Sequence, residues 1–207
     1  MQEPRELAIV DDDAAVRDSI AALLATSELV APRGFAAAEG LLAALADGYR
    51  PAAIVSDVRM PGMSGLELQA ELNRRGERIP LILVTGHGQV SMAVRALKAG
   101  AADFVEKPFD ETELLDAIGR AIDEASRQAD ADRKRADLIA RMEQLSPRQR
   151  EVMDHVVQGL SSKEIAARLG ISPRTVETYR LWIMEKTGAR NTADLVRMVM
   201  LVEPKEP

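Results

Sequence analysis

The chain contains no cysteine in 207 residues, which excludes disulfides and thiolate metal sites. Its two histidines, His87 and His155, are too few and too far apart for an imidazole metal centre, and both are read as incidental. No apolar run approaches the ~20 residues that a membrane-spanning helix needs. Acids from Glu3 onward also break any signal-peptide pattern. The expectation is a soluble, cytoplasmic protein with no membrane partner. Gly86 and Gly88 are read as turn residues, since a lone Gly-x-Gly is no nucleotide motif. The length suits two small domains, each able to bury its own core.

Charge is divided unevenly along the chain. Residues 1–124 carry 21 acids against 12 bases, a net −9, whereas residues 125–145 net +1 and residues 146–207 net +2. A polyanionic partner for the back half is compatible with this, although +2 alone is a weak signal.

Up to about residue 120, short apolar runs alternate with stretches whose apolar positions recur three and four apart. That alternation argues for a parallel sheet covered on both faces. The run around Leu29-Val-Ala, followed by Pro32, is the weakest strand. Four runs end in reactive groups. Leu7-Ala-Ile-Val10 ends in Asp11, Asp12 and Asp13, and Ile54-Val-Ser ends in Asp57. Leu81-Ile-Leu-Val ends in Thr85, and Ala102-Asp-Phe-Val105 ends in Glu106, Lys107 and Pro108. In a parallel sheet all these ends share one edge, where open α/β sheets place their ligands. Clustered carboxylates repel unless a cation joins them, and an oxygen-only donor set suits Mg²⁺. A lysine opposite them would offset charge on a phosphoryl group. The implied chemistry is attack by a carboxylate on phosphorus, giving an acyl phosphate. Asp13 is read as a helix N-cap rather than a ligand, and Thr85, taken alone, reads equally as a β-branched strand residue.

At these residues the first ~124 positions resemble a two-component receiver domain, a five-stranded flavodoxin-like fold. The phrases Val84-Thr-Gly-His-Gly88, Ala96-Leu-Lys-Ala-Gly100 and Glu106-Lys-Pro-Phe109 resemble the FixJ subgroup most. The resemblance implies phosphorylation of Asp57 by a sensor histidine kinase. It implies Mg²⁺ held by Asp11, Asp12, Asp57 and the backbone carbonyl of Arg59. It makes Thr85, Phe104 and Lys107 the switch residues and implies a cis Lys107–Pro108 bond.

From Leu115 to Ile139 the pattern is helical, opening at Asp110 with Glu113 three residues on. A heptad register puts Leu115, Ile122, Ala129 and Ala136 at one core position and Ile118, Ala125, Asp132 and Ile139 at the other. Residues 125–144 thus read either as a solvated helical linker or as a thin coiled coil. After it, Ser146, Ser161 and Ser172 each mark a helix start, with Gln149 and Glu164 completing two capping boxes and Pro147 and Pro173 at first helical positions. Gly159 and Gly170 mark helix ends. The short turn Leu169-Gly-Ile-Ser-Pro joins two helices as in a helix-turn-helix, whose second helix enters the major groove. A wheel of that second helix groups Val176, Ile183 and Thr187, with Arg180 at the margin. Thr175, Thr178, Trp182 and Lys186 share another face, with Tyr179 at its border. Hydroxyls, an amine and aromatics suit a groove and its phosphates. Arg174 and Lys163, at helix starts, add further phosphate contacts, and Arg180 at the margin is placed with the DNA-binding residues.

Residues 145–207 resemble a small all-α LuxR-type helix-turn-helix domain, on the phrases Leu145-Ser-Pro-Arg-Gln-Arg-Glu-Val, Gly159-Leu-Ser-Ser-Lys-Glu-Ile-Ala and Ile171-Ser-Pro-Arg-Thr-Val-Glu-Thr-Tyr-Arg. Two residues depart from the family pattern. Trp182 stands where Asn is common and packs on either DNA or a partner. Thr187 replaces the usual Leu and suggests a looser helix end. Together the resemblances imply a non-enzymatic response regulator that dimerises on phosphorylation, binds double-stranded DNA and meets RNA polymerase. Two other readings stay open: a constitutive DNA binder with the receiver as scaffold, and a Mg²⁺-dependent phosphatase using Asp57. Phosphatases of the haloacid-dehalogenase type carry a second acid two residues on, where this chain has Arg59.

Overall fold

A computed structural model of the chain describes residues 4–25, 30–86 and 90–202. Five strands, β1 (Arg5–Val10), β2 (Val30–Phe35), β3 (Ala53–Asp57), β4 (Leu81–Thr85) and β5 (Asp103–Glu106), form one parallel sheet in the order β2-β1-β3-β4-β5. Between them run α1 (Ala14–Leu24), α2 (Ala38–Ala46), α3 (Gly65–Arg75) and α4 (Val90–Lys98). Side chains alternate across each strand, so Ala8, Val10, Ile54, Leu81 and Leu83 join one core with Leu41, Leu45 and Leu68. Leu7, Ile9, Val55, Ile82 and Val84 join the other with Ile20, Leu24 and Leu114. Burial on both faces is why these strands read as near-continuous apolar runs. Pro32 lies in β2, which pairs with β1 alone, so its missing N–H costs no ladder bond. Leu29, like His87 and Gly88, lies outside the described residues.

The strand order reverses between β1 and β3, and the crevice beyond such a switch point is where this topology receives ligands. Gly65 makes that corner possible. A Cβ there would collide with the Asp57 carbonyl oxygen and lie 2.9 Å from a Leu83 methyl. Next to it, Ser64 and Glu67 form a reciprocal capping box that opens α3. Asp13 accepts the Ala15 N–H at 2.8 Å and so caps α1.

Helix α5 is one continuous helix from Glu111 to Glu143. Asp110 accepts the N–H and hydroxyl of Thr112, both at 2.9 Å, so Thr112 rather than Glu113 is the residue its carboxylate binds. The helix buries Leu114, Ala117, Ile118 and Ala121, while Leu115 is exposed. Ile118 is thereby committed to the receiver-side core, and Leu115 faces another direction. The heptad pairing that joined them in one seam is not available at this end of the helix.

The chain divides into compact units at Arg127–Gln128. The second holds α6 (Pro147–Val157), α7 (Ser162–Leu169), α8 (Pro173–Thr187) and α9 (Thr192–Val202). Its core gathers Val152, Val156, Ile165, Val176, Ile183 and Leu195. The end of α5 belongs to this unit: Met142 packs on that core, and Arg135 donates to the carbonyls of Leu201 and Val202 at 3.1 and 3.0 Å. Basic donors at a helix carboxyl end satisfy its free carbonyls.

Candidate functional site

At the carboxyl edge of the sheet, one ammonium joins two carboxylates. Lys107 Nζ lies 2.9 Å from Asp11 Oδ2 and 2.8 Å from Asp57 Oδ1. Asp11 is 3% exposed, and its other oxygen accepts the Asp13 N–H at 2.9 Å. Asp57 Oδ2 accepts the Arg59 N–H at 2.7 Å. Burial works to lower the Lys107 pKa, but hydrogen bonds and charges from Asp11 and Asp57 outweigh it, so the ammonium is held above the ordinary lysine value. Arg17 of α1 fixes the same corner by donating to the Asp11 carbonyl at 2.6 Å. Thr85 ends β4 beside Asp57, is fully buried, and its carbonyl accepts the Lys107 N–H at 2.7 Å. Phe104 is half-buried against the core that holds α2, α3 and α4. The Lys107–Pro108 bond is cis.

Asp12 is exposed and stands outside the Lys107 pair. Among the described residues no three acidic or histidine side chains converge as metal ligands. The donor set is nonetheless oxygen-only, with one cation already needed to hold two carboxylates together. That chemistry fits a hard, oxygen-liganded divalent cation such as Mg²⁺.

Beyond Thr85 stands α4, whose only buried residue is Ala96. Two amides from α3 hold its carboxyl end: Gln69, itself buried, donates to the Ala96 carbonyl at 2.9 Å, and Asn73 to the Ala99 carbonyl at 2.8 Å. Val90, Val94 and Leu97 form an exposed apolar stripe on the same helix.

In the second unit, Ser146 and Ser161 make capping boxes with Gln149 and Glu164, and Ser172 caps α8 by accepting the Thr175 N–H at 3.0 Å. Gly170 ends α7 in the left-handed conformation at φ 65°. Val176, Ile183 and Thr187 are buried together. Thr187 leaves no looseness: it is fully buried and its hydroxyl donates to the Ile183 carbonyl at 2.7 Å.

Several residues assigned to phosphates and bases are otherwise engaged. Lys186 is exposed, and its Nζ donates to the Gln144 carbonyl at 2.9 Å and to Gln149 Oε1 at 3.0 Å, bracing α8 on α6. Arg180 donates to the Thr192 hydroxyl at 3.0 Å. Thr175 shares a hydrogen bond with Ser172, and the Thr178 hydroxyl donates to the Arg174 carbonyl at 3.1 Å. Arg174 and Lys163 are exposed. Tyr179 is half-buried and meets Trp182 edge-on, ring centroids 5.7 Å apart. Two features were missed from sequence. Helix α9 starts at Asn191, which accepts the Asp194 N–H at 2.9 Å, a cap visible as Asn with an acid three residues on. Leu181 is 70% exposed on α8, a signal that the wheel carried without its being assigned.

Residues 7–119 match the family model for the response regulator receiver domain, and residues 143–199 match that for bacterial regulatory proteins of the luxR family. The chain belongs to the response regulators. It is 45% identical over 201 residues to the transcriptional regulatory protein FixJ of Azorhizobium caulinodans, covering 97% of this chain and 94% of that one. Among solved structures it is similar to the response regulator StyR, with a TM-score of 0.79, 36% identity and coverage of 95% and 98%. It is also similar to full-length FixJ from B. japonicum, with a TM-score of 0.61, 40% identity and coverage of 97% and 98%. The chain is therefore a response regulator pairing a receiver with a LuxR-type DNA-binding domain, the architecture of phosphorylation-dependent transcription regulation. Among the described residues no helix is long and apolar enough to cross a membrane.

Proposed function

We propose that a sensor histidine kinase in the cytoplasm transfers its phosphoryl group to Asp57. A carboxylate oxygen attacks phosphorus, the bond to the kinase histidine breaks, and an acyl phosphate forms. The observation that carries this reading is the single ammonium of Lys107 between Asp11 and Asp57. A carboxylate so placed is already matched to a donor that can follow added negative charge. Asp11, Asp12, Asp57 and the Arg59 carbonyl would hold Mg²⁺, which offsets charge on the phosphoryl oxygens. Lys107 and Thr85 then turn toward the new dianion, and Phe104 moves into the space that Thr85 leaves.

The output of that switch is dimerisation. The exposed stripe of Val90, Val94 and Leu97 lies on α4, the helix that follows Thr85, and supports this face as the contact. A homodimer brings two output domains onto paired half-sites of double-stranded DNA, where RNA polymerase is engaged. Lys163, Arg174, Thr175, Thr178, Tyr179 and Trp182 are the DNA-facing residues of this reading, with Arg180 and Lys186 bracing the helix that presents them.

Acetyl phosphate and Mg²⁺ added to the full chain test the reading by mass spectrometry. Wild type gains one phosphoryl group, located to Asp57, and Asp57→Asn gains none. Beryllofluoride raises the solution mass of wild type toward a dimer and tightens DNA binding. Modification elsewhere, or a dimer and DNA affinity indifferent to beryllofluoride, overturns the switch and leaves a constitutive binder.

A further inference from the structure

We propose that Leu181 and Trp182 read thymine, through its 5-methyl group, in the major groove of the operator. This rests on the DNA-binding reading given above and specifies what the recognition helix selects.

The buried stripe of α8 runs through Val176, Ile183 and Thr187. At 3.6 residues per turn, the opposite side is centred on Arg174, Thr178, Leu181 and Glu185, with Trp182 on one flank and Glu177 on the other. Leu181 is 70% exposed and Trp182 46% exposed. Neither large apolar side chain belongs to the core of this unit; Trp182 touches it only through its edge-on contact with Tyr179.

The neighbouring hydrogen-bonding groups are engaged inside the protein. The Thr178 proton goes to the Arg174 carbonyl, which leaves its methyl as the outward contact. Glu177 accepts the Ser162 hydroxyl from α7, so its carboxylate is held away from a cytosine amino group. Lys186 is turned onto α6. The middle of the helix therefore has few free donors or acceptors with which to read guanine or adenine edges. What a major groove offers to such a surface is the thymine methyl, its one apolar projection. Trp182 meets this demand rigidly, because its edge-on contact with Tyr179 fixes the ring at little entropic cost. Polar contacts to phosphate fall to Arg174 at the helix start and Lys163 on the preceding helix.

The test uses the full chain, activated with beryllofluoride and Mg²⁺, and duplexes that it selects from a random-sequence library. Each thymine of a selected half-site is replaced in turn by uracil, which removes the methyl and keeps the base pair. We expect at least one replacement in each half-site to weaken binding about fourfold per methyl. In Leu181→Ala or Trp182→Ala, that thymine-over-uracil ratio falls toward one, whatever the absolute affinity of the variant for the uracil duplex. Uracil replacements that leave affinity unchanged, or variants that keep the wild-type ratio, overturn the proposal even though DNA is bound. Variants that lose transcription but keep the ratio also overturn it, assigning both side chains to a protein partner. Failure to select any duplex overturns the DNA reading and this inference with it.

Discussion

Replacing Lys107 with Met removes the cation from a corner that needs one. Asp11 Oδ2 and Asp57 Oδ1 both lie within 2.9 Å of the same nitrogen, so the two oxygens are less than about 6 Å apart. At an effective dielectric constant of ~20, two unit charges at that separation repel by about 3 kcal/mol. Their side chains are 4% and 11% exposed, so solvent does little to relieve this. Breaking a buried pair by removing one partner commonly costs about 3–5 kcal/mol, and the expected loss lies at the lower end because Met keeps the volume. Chemical denaturation of the full chain in a chelator reads it. Trp182 is the only tryptophan and lies in the second unit, so its fluorescence follows that unit alone, while far-UV circular dichroism also reports the receiver. The receiver transition should move to lower denaturant and the Trp182 transition should stay put. Mg²⁺ at about a hundred times its dissociation constant restores about 2.7 kcal/mol. That recovery should exceed any gain in wild type. A variant as stable as wild type in chelator, or equal Mg²⁺ stabilisation of both, would refute the reasoning.

Other expectations follow from single contacts. Tyr49 has a buried hydroxyl with no partner among the described residues, so Tyr49→Phe should leave the receiver as stable or up to about 1 kcal/mol more stable at neutral pH in thermal unfolding. Burial, aided by the charge of Glu6, pushes the Tyr49 pKa up to about 12. The folded state therefore favours the neutral phenol, its stability is intact below pH 10, and stability falls as pH rises from 10 through 12; Tyr49→Phe should lack that part of the alkaline loss. Gly65→Ala drives a methyl into the Asp57 carbonyl and should cost at least about 1–3 kcal/mol and slow modification by acetyl phosphate. Ser172→Ala removes the cap of α8 and should cost about 1 kcal/mol, seen in the Trp182 transition. Gln69→Leu releases one of two amides holding α4 and should speed amide exchange across Val90–Lys98 without modification of Asp57; unchanged exchange would show that Asn73 suffices.

What could be read from the chain was whatever is encoded locally. Acids and a lysine at strand ends are visible because β-strand runs are short, and a parallel sheet gathers all their ends at one edge. Serine caps are visible because their partners sit three residues away. The contacts of Lys186 were invisible for the opposite reason. A helical wheel sees only α8, and the oxygens that hold this ammonium belong to Gln144 and Gln149, distant in sequence. The contact of Arg180 with Thr192 is hidden in the same way, as is that of Arg135 with the last carbonyls of α9. The heptad pattern along α5 was real as a spacing, but Ile118 could serve only one surface and the sheet took it. Asp12 stands beside Asp11 in sequence yet outside the pair that Lys107 holds, since adjacent side chains leave a strand end in different directions.

The serine and glycine signals around the last helices have a further consequence. Each of α6, α7 and α8 is opened by a bond between residues three apart, and α7 and α8 are closed by glycines in left-handed geometry. Their limits are thus set before any long-range contact forms, and without help from the receiver. A stretch punctuated in this way is transposable: it can be joined behind a different sensing module and still mark out the same three rods.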